Sequence, residues 1–207
     1  ATAPTAAGGL GFDYVWDIAW AAEVLHYFAA APAQRPALFA HLAAGLAAHG
    51  SVVNALSHDD NAWRTGTVFY RLYGSEDDKL AQARLLYLYQ VCRPGKKLSF
   101  MGGEFGNYHA FDPYKELDWG MLTAPAHRSL ADYCAALNAF YAAHPALYQN
   151  EWAPCHTVCA DAACGLLAFV RSAGGESLLC VLNTGDTPLP GYGLDLRYCG
   201  SAITAEP

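Results

Sequence analysis

The stretch SVVNALSHDD (Ser51–Asp60) decides how this chain folds. Its first half is short and apolar, with Val52, Val53, Ala55 and Leu56 in near succession, which reads as a buried strand. It then breaks into Ser57, His58, Asp59 and Asp60, a polar corner at the strand's end. Helical patterns lie on both sides. An alanine-rich piece from Pro36 to Ala48 precedes it and stops at Gly50, and another helix opens at Ser75. A buried strand between two helices is the repeating piece of a parallel sheet with crossover helices. In such sheets chemistry gathers at the C-terminal ends of the strands, where SHDD lies.

Similar units stand to either side. GFDYVWD (Gly11–Asp17) alternates aromatic and β-branched residues with polar ones and reads as a strand. IAWAAEVLHYFAA follows, with Ala21, Leu25 and Phe28 on one helical face and Asp17 placed to cap it. In the next helix Ser75 is the cap and Glu76, Asp77 and Asp78 fill the first turn, where the helix dipole favours negative charge. Leu80, Ala83, Tyr87 and Val91 continue at helical spacing until Pro94 and Gly95. KKLSFMGG (Lys96–Gly103) is a further short strand, with Lys96 and Lys97 at the end remote from the chemistry. A loop rich in Gly, Asn, Tyr, Asp and Pro runs to about Pro125, and HRSLADYCAALNAFYAAHP closes the series as a helix. The fold class is therefore α/β, and both a doubly wound sheet and a (β/α) barrel fit the pattern.

The character changes near residue 145. GLLAFVRS (Gly165–Ser172) and SLLCVLNTG (Ser177–Gly185) flank Ala173–Gly175 as a hairpin, and GYGLDLRY (Gly191–Tyr198) reads as a third strand. The reading divides the chain into an α/β part, residues 1–145, and an all-β part, residues 146–207.

Hydrophobic residues make up 54% of the 207 and charged residues 15%, a composition that excludes a disordered chain. The net charge is −7 and the basic residues form no run, so no nucleic-acid partner is expected. No stretch is apolar for the ~18 residues a bilayer span needs, and no membrane partner is expected. The start, ATAPTAAGG, has no initiator methionine and no signal-peptide pattern. The expectation is a cytoplasmic protein and a piece of something longer. Seven cysteines at irregular spacing read as free thiols. CHTVCADAAC (Cys155–Cys164) invites a zinc reading but lacks paired C-x-x-C spacing, so neither a metal nor a cofactor is expected.

Four segments carry a resemblance. GGLGFDYVWDIAW, LSHDD, RPGKKLSFMGGEFG and LDWGML, in this order, resemble the C-terminal half of bacterial glycogen branching enzymes, transferases of the α-amylase superfamily. YCAALNAFYAAHPAL and the hairpin region are similar to later segments of the same family. The resemblance implies the C-terminal part of a (β/α)8 TIM barrel followed by a β-sandwich segment. It implies an α-1,4-glucan substrate, cleaved with retention and transferred to a glucan 6-hydroxyl. It also implies that the nucleophile and the acid/base carboxylates precede the segment matching Gly8, so that the missing N-terminal part of the same enzyme is the chain's partner.

By the same resemblance Asp59 is the carboxylate that bonds sugar hydroxyls in the −1 subsite, and His58 bonds the same sugar. A carboxylate that holds those hydroxyls better in the flattened, oxocarbenium-like transition state than in the ground state contributes to rate. Trp16, Trp63 and Trp119 are candidates for sugar stacking, Trp16 foremost, and His109 and Asp112 for lining the glucan groove. Asp60 replaces a family glutamate, and NAWRTGT replaces the usual continuation with its second histidine. Two other readings fit these departures: a hydrolase of the same superfamily, of amylase or trehalose-releasing type, and a non-catalytic glucan-binding remnant.

Overall fold

A computed structural model describes residues 2–47, 51–62, 66–149, 151, 153 and 155–197. Three strands form a parallel sheet in the order β1 (Val15–Trp16), β2 (Val52–Leu56), β3 (Lys96–Ser99). Between β1 and β2 run α1 (Ile18–Ala29) and α2 (Arg35–Ala44). Between β2 and β3 run the short α3 (Val68–Arg71) and the long α4 (Glu76–Cys92). Then come α5 (Pro125–Ala143) and α6 (Pro145–Tyr148). Parallel neighbours in chain order, each followed by helix, are the repeating unit of a (β/α) barrel.

Local chemistry sets the boundaries. The Asp17 carboxylate accepts the Trp20 N–H at 3.0 Å and starts α1. Ser75 and Asp78 form a reciprocal capping box at the head of α4. At the other end of α4, Pro94 cannot donate a backbone hydrogen bond, and Gly95 takes a left-handed φ of +102° that turns the chain into β3. A side chain at Gly95 would also meet the Val52 carbonyl at 2.9 Å.

The second sheet is antiparallel: β4 (His156–Asp161), β5 (Leu166–Ala173) and β6 (Glu176–Asn183), with β5 in the middle. Gly174 and Gly175, both at positive φ, make the tight β5–β6 turn. Leu167, Phe169, Cys180 and Leu182 join one continuous core with residues of α1, α2, α4 and α5. The antiparallel sheet is thus packed directly onto the helices.

Three expectations are corrected. GFDYVWD is strand only at Val15–Trp16, because β2 supplies partners to those two residues alone. GYGLDLRY forms no strand over its described residues, 191–197; the third strand is β4, which pairs with the other edge of β5. The helix expected to reach Ala48 ends at Ala44 and continues as a 3-10 turn through Ala47, while Ala48 lies outside the described residues.

Candidate functional site

Because β1, β2 and β3 are parallel, their C-terminal ends share one rim of the sheet. Trp16 ends β1, His58 follows β2 by two residues, and Phe100 follows β3. Their rings form a row: Trp16 meets His58 edge-on with centroids 6.5 Å apart, and His58 lies 6.1 Å from Phe100. Phe111, from the loop after β3, extends the row 5.0 Å from Phe100.

The corner after β2 is built by its own hydrogen bonds. Residues Asp59–Asn61 form a 3-10 turn. The Asp59 N–H donates to the Ser57 hydroxyl at 3.2 Å. The Asp60 carboxylate turns back to accept the Ser57 N–H at 2.9 Å and faces Arg71 at 3.7 Å. Arg71 also donates to the Asp60 carbonyl at 2.7 Å. With both oxygens engaged, Asp60 is a corner-holding residue. Asn61 is buried; its amide donates to the Ser57 carbonyl and its oxygen accepts the Val68 N–H. Its carbonyl accepts the Phe111 N–H at 2.8 Å, which ties the β2 corner to the β3 loop.

Asp59 alone of the two carboxylates presents its side chain to solvent, at 80% exposure, and it lies 3.4 Å from His58 Nε2. The pair offers both an acceptor and a ring N–H donor on an open rim, which suits a polyhydroxylated ligand.

His109 and Asp112 stand apart from that pair. They line a cleft of about 710 Å³ formed largely by the loop 100–118, with Asn61, Phe100 and Phe111 in the same wall. His109 Nε2 lies 3.4 Å from Asp118 Oδ2. Asp112 accepts the Tyr114 N–H at 3.0 Å and faces Lys115; these contacts, the backbone one first, hold its carboxyl below the usual carboxylate range. His58, Asp59 and Trp16 do not line the cleft; Phe100 joins the two groups. Trp119 is 54% exposed and packs at a tilt on Phe105, and Trp63 lies outside the described residues.

Sequence reasoning missed Phe100, Phe111 and Asn61. Phe100 had a signal, since it directly follows a strand whose end shares the rim with SHDD. The roles of Phe111 and Asn61 depend on a contact between two loops, which no local pattern announces.

Among the described residues no group of three His, Cys, Asp or Glu side chains is placed to hold a metal ion. Cys155, Cys159 and Cys164 are spread before, along and after β4. No described helix is long and apolar enough to cross a membrane.

No protein-family model matches the sequence. Curated relatives do. The chain is 37% identical to the 1,4-alpha-glucan branching enzyme GlgB of Chlamydia pneumoniae over 96% of its own length, and 34% identical to that of Myxococcus xanthus over 98%. Over nearly its whole length the chain is similar to 1,4-alpha-glucan branching enzymes. It spans 29% and 28% of the length of these two branching enzymes. Solved structures similar in fold include a cyclomaltodextrinase, at a TM-score of 0.61 and 21% identity over 83% of this chain and 28% of that one. Another is AmyP in complex with maltose, at 0.60 and 15% over 82% and 39%. The likeness to both is one of fold: three parallel strands with their helices, followed by an antiparallel sheet.

Proposed function

We propose that residues 1–145 are the C-terminal part of the catalytic barrel of a 1,4-alpha-glucan branching enzyme and that residues 146–207 begin its C-terminal β-sandwich. The whole enzyme cleaves an α-1,4-glucan with retention and passes the segment to a 6-hydroxyl, forming an α-1,6 branch. Its nucleophile and acid/base lie in the part of the enzyme's length that this chain does not span, and the enzyme works in the cytoplasm.

In this reading Asp59 accepts hydrogen bonds from ring hydroxyls of the sugar at the bond being broken, and His58 donates to the same sugar. The hydroxyl geometry changes as the ring flattens, so a fixed carboxylate binds the transition state better than the ground state. Asp59 also places a third negative charge near the acid/base, which raises that group's pKa. Trp16 supports His58 and offers an apolar edge to the sugar. His109 and Asp112 line the path of the glucan beyond it. The observation that carries the reading is the open His58–Asp59 pair at the end of the central strand, in a sequence 37% identical to branching enzymes along nearly its whole length.

The test is Asp59→Ala in the full-length enzyme. Removing one preorganised transition-state contact lowers kcat on the order of 10²–10³-fold, with the melting temperature unchanged, because the side chain is exposed. The 207-residue chain alone makes no new α-1,6 linkages from amylose. A near-wild-type rate for the variant, or branching by the chain alone, refutes the assignment.

A further inference from the structure

The loop that lines the cleft is tied to the helices by a buried histidine outside the His58–Asp59 rim. His127, the third residue of α5, is 3% exposed. Both of its ring nitrogens have partners. Nδ1 lies 2.7 Å from the Phe105 carbonyl, and since a carbonyl only accepts, Nδ1 carries a proton and donates it. Nε2 faces Oε1 of Glu76, the first residue of α4, at 3.1 Å. Phe69 of α3 and Tyr108 wall the ring, with centroids 5.8 and 5.7 Å away. Two polar contacts and two aromatic neighbours hold the imidazole in one orientation.

Phe105 is where the loop needs a tether. Residues Gly103–Phe105 form a 3-10 turn between Gly102 and Gly106, both in the left-handed region at φ +88° and +71°. Glycine has more backbone freedom to lose than any other residue, so such a turn is costly to order without an outside contact. The Asn107 N–H closes the turn on the Gly102 carbonyl at 2.9 Å. Asn107 then fixes His109: its amide donates to the His109 carbonyl at 2.9 Å, and its oxygen accepts the His109 N–H at 3.1 Å. Asn107 and His109 stand in the cleft wall, whereas His127 does not. A chain of contacts thus runs from α5 through the Phe105 turn to the cleft.

We propose that His127 is a positioning residue for glucan binding, setting the cleft wall through its bond to the Phe105 carbonyl, on the reading above that the cleft lies on the glucan's path. The physical basis is preorganisation. A loop already ordered in the free enzyme need not be ordered by the ligand, and the gain appears in affinity. Phe105 is 1% exposed, so its carbonyl without that donor would be left buried and unpaired, and the turn would shift. The Glu76 contact joins α5 to α4 instead. The two nitrogens therefore have separable roles.

Branching kinetics on amylose separate those roles in the full-length enzyme. An asparagine amide can take the place of Nδ1 and a glutamine amide that of Nε2, both being N–H donors. His127→Gln keeps a donor towards Glu76 and loses the one to Phe105. Its KM for amylose is expected to rise roughly 10-fold, the effect of one hydrogen bond, with kcat within about twofold. His127→Asn keeps the Phe105 donor, and its KM is expected to stay within about twofold of the wild type. Equal KM values for the two variants, or a fall in kcat at unchanged KM, overturn the proposal. Gly106→Ala shifts the same turn with His127 intact, because an added Cβ would meet the Phe69 ring at 3.0 Å. It too should raise KM, and an unchanged KM overturns the proposal even where His127→Gln does not fold. His109→Ala tests the cleft itself. If it raises KM while His127→Gln does not, the positioning role alone fails. If it leaves KM unchanged, the reading of the cleft fails and this role with it.

Discussion

The two sheets of this molecule are held by different forces. In the antiparallel sheet, Leu166 through Val170 of β5 are at most 5% exposed, so both faces of the central strand are covered by apolar packing. In the parallel sheet the corresponding place is taken by polar groups. Asn54 of β2 is fully buried; its amide donates to the Pro94 carbonyl, and its own carbonyl accepts from Gln90. Arg93, 2% exposed, reaches the Asn54 side chain, the Gly45 carbonyl and the Asp17 carboxylate, and lies over the Trp20 ring. Apolar burial is strong but undirected. A hydrogen-bonded network is weaker in net terms but accepts one geometry. The strand ends that carry His58 and Asp59 are thus aligned by directional contacts, whereas the antiparallel sheet is fixed mainly by volume.

That contrast is tested first where the expected effect is largest. Phe169→Ala removes a fully buried ring from the core and is expected to destabilise the chain by about 4 kcal/mol, read by urea unfolding. A cost near 1 kcal/mol would show that β5 is not a volume-filled core strand.

Arg93→Met probes the other sheet. Asp17 keeps 20% exposure and hence some water, so the loss is set at the low end for a broken buried pair, about 3 kcal/mol. The variant also removes a bond to Asp17, which caps α1 and follows β1, so amide exchange should quicken in β1 and the start of α1. A more stable Arg93→Met protein would mean that the network costs more than it contributes.

A pH titration sharpens the comparison at the junction of the two sheets. Burial, aided by the Arg171 charge, pushes the Lys97 ammonium from 10.5 down to about 7. Its charged form is therefore disfavoured in the fold. Between about pH 7 and 10.5 the unfolded chain holds a proton that the folded chain has released, so stability rises with pH through that window. Above it no penalty remains, and below about 7 the penalty is complete. Lys97→Met should flatten the slope; an unchanged slope would assign it to other groups.

The same division explains what could be read from the chain. Asp17 and Ser75 were legible as caps because a cap acts on amides two or three residues away. β2, α4 and the β5–β6 hairpin were legible because their periodicity and their Pro or Gly stops are local. The two-residue length of β1 was not, since it depends on how many partners β2 supplies. Nor was β4, whose HTVCAD drew attention to its cysteines instead of its alternation. His58 and Asp59 were visible as a strand-end pair, and the resemblance gave them a role. Their neighbours Phe100 and Phe111 come together only through tertiary contact, and Asp60 showed its use only once Arg71 was beside it.

The smallest expected effect tests whether local signals matter beside tertiary ones. The Ser75 hydroxyl accepts the Asp78 N–H at 3.3 Å, and the Asp78 carboxylate accepts both the Ser75 hydroxyl at 2.7 Å and its N–H at 2.9 Å. These bonds hold the Asp78 carboxyl below its usual range. Ser75→Ala removes two of the three bonds and is expected to cost about 1 kcal/mol. The loss should appear as faster amide exchange in the first turn of α4, with the other end, where Gln90 and Arg93 are locked into the network, unchanged. If exchange quickens along the whole helix, the cap supports the polar network as well. The parallel half would then depend on a local contact in a way that the antiparallel half, filled by Leu167 and Phe169, does not.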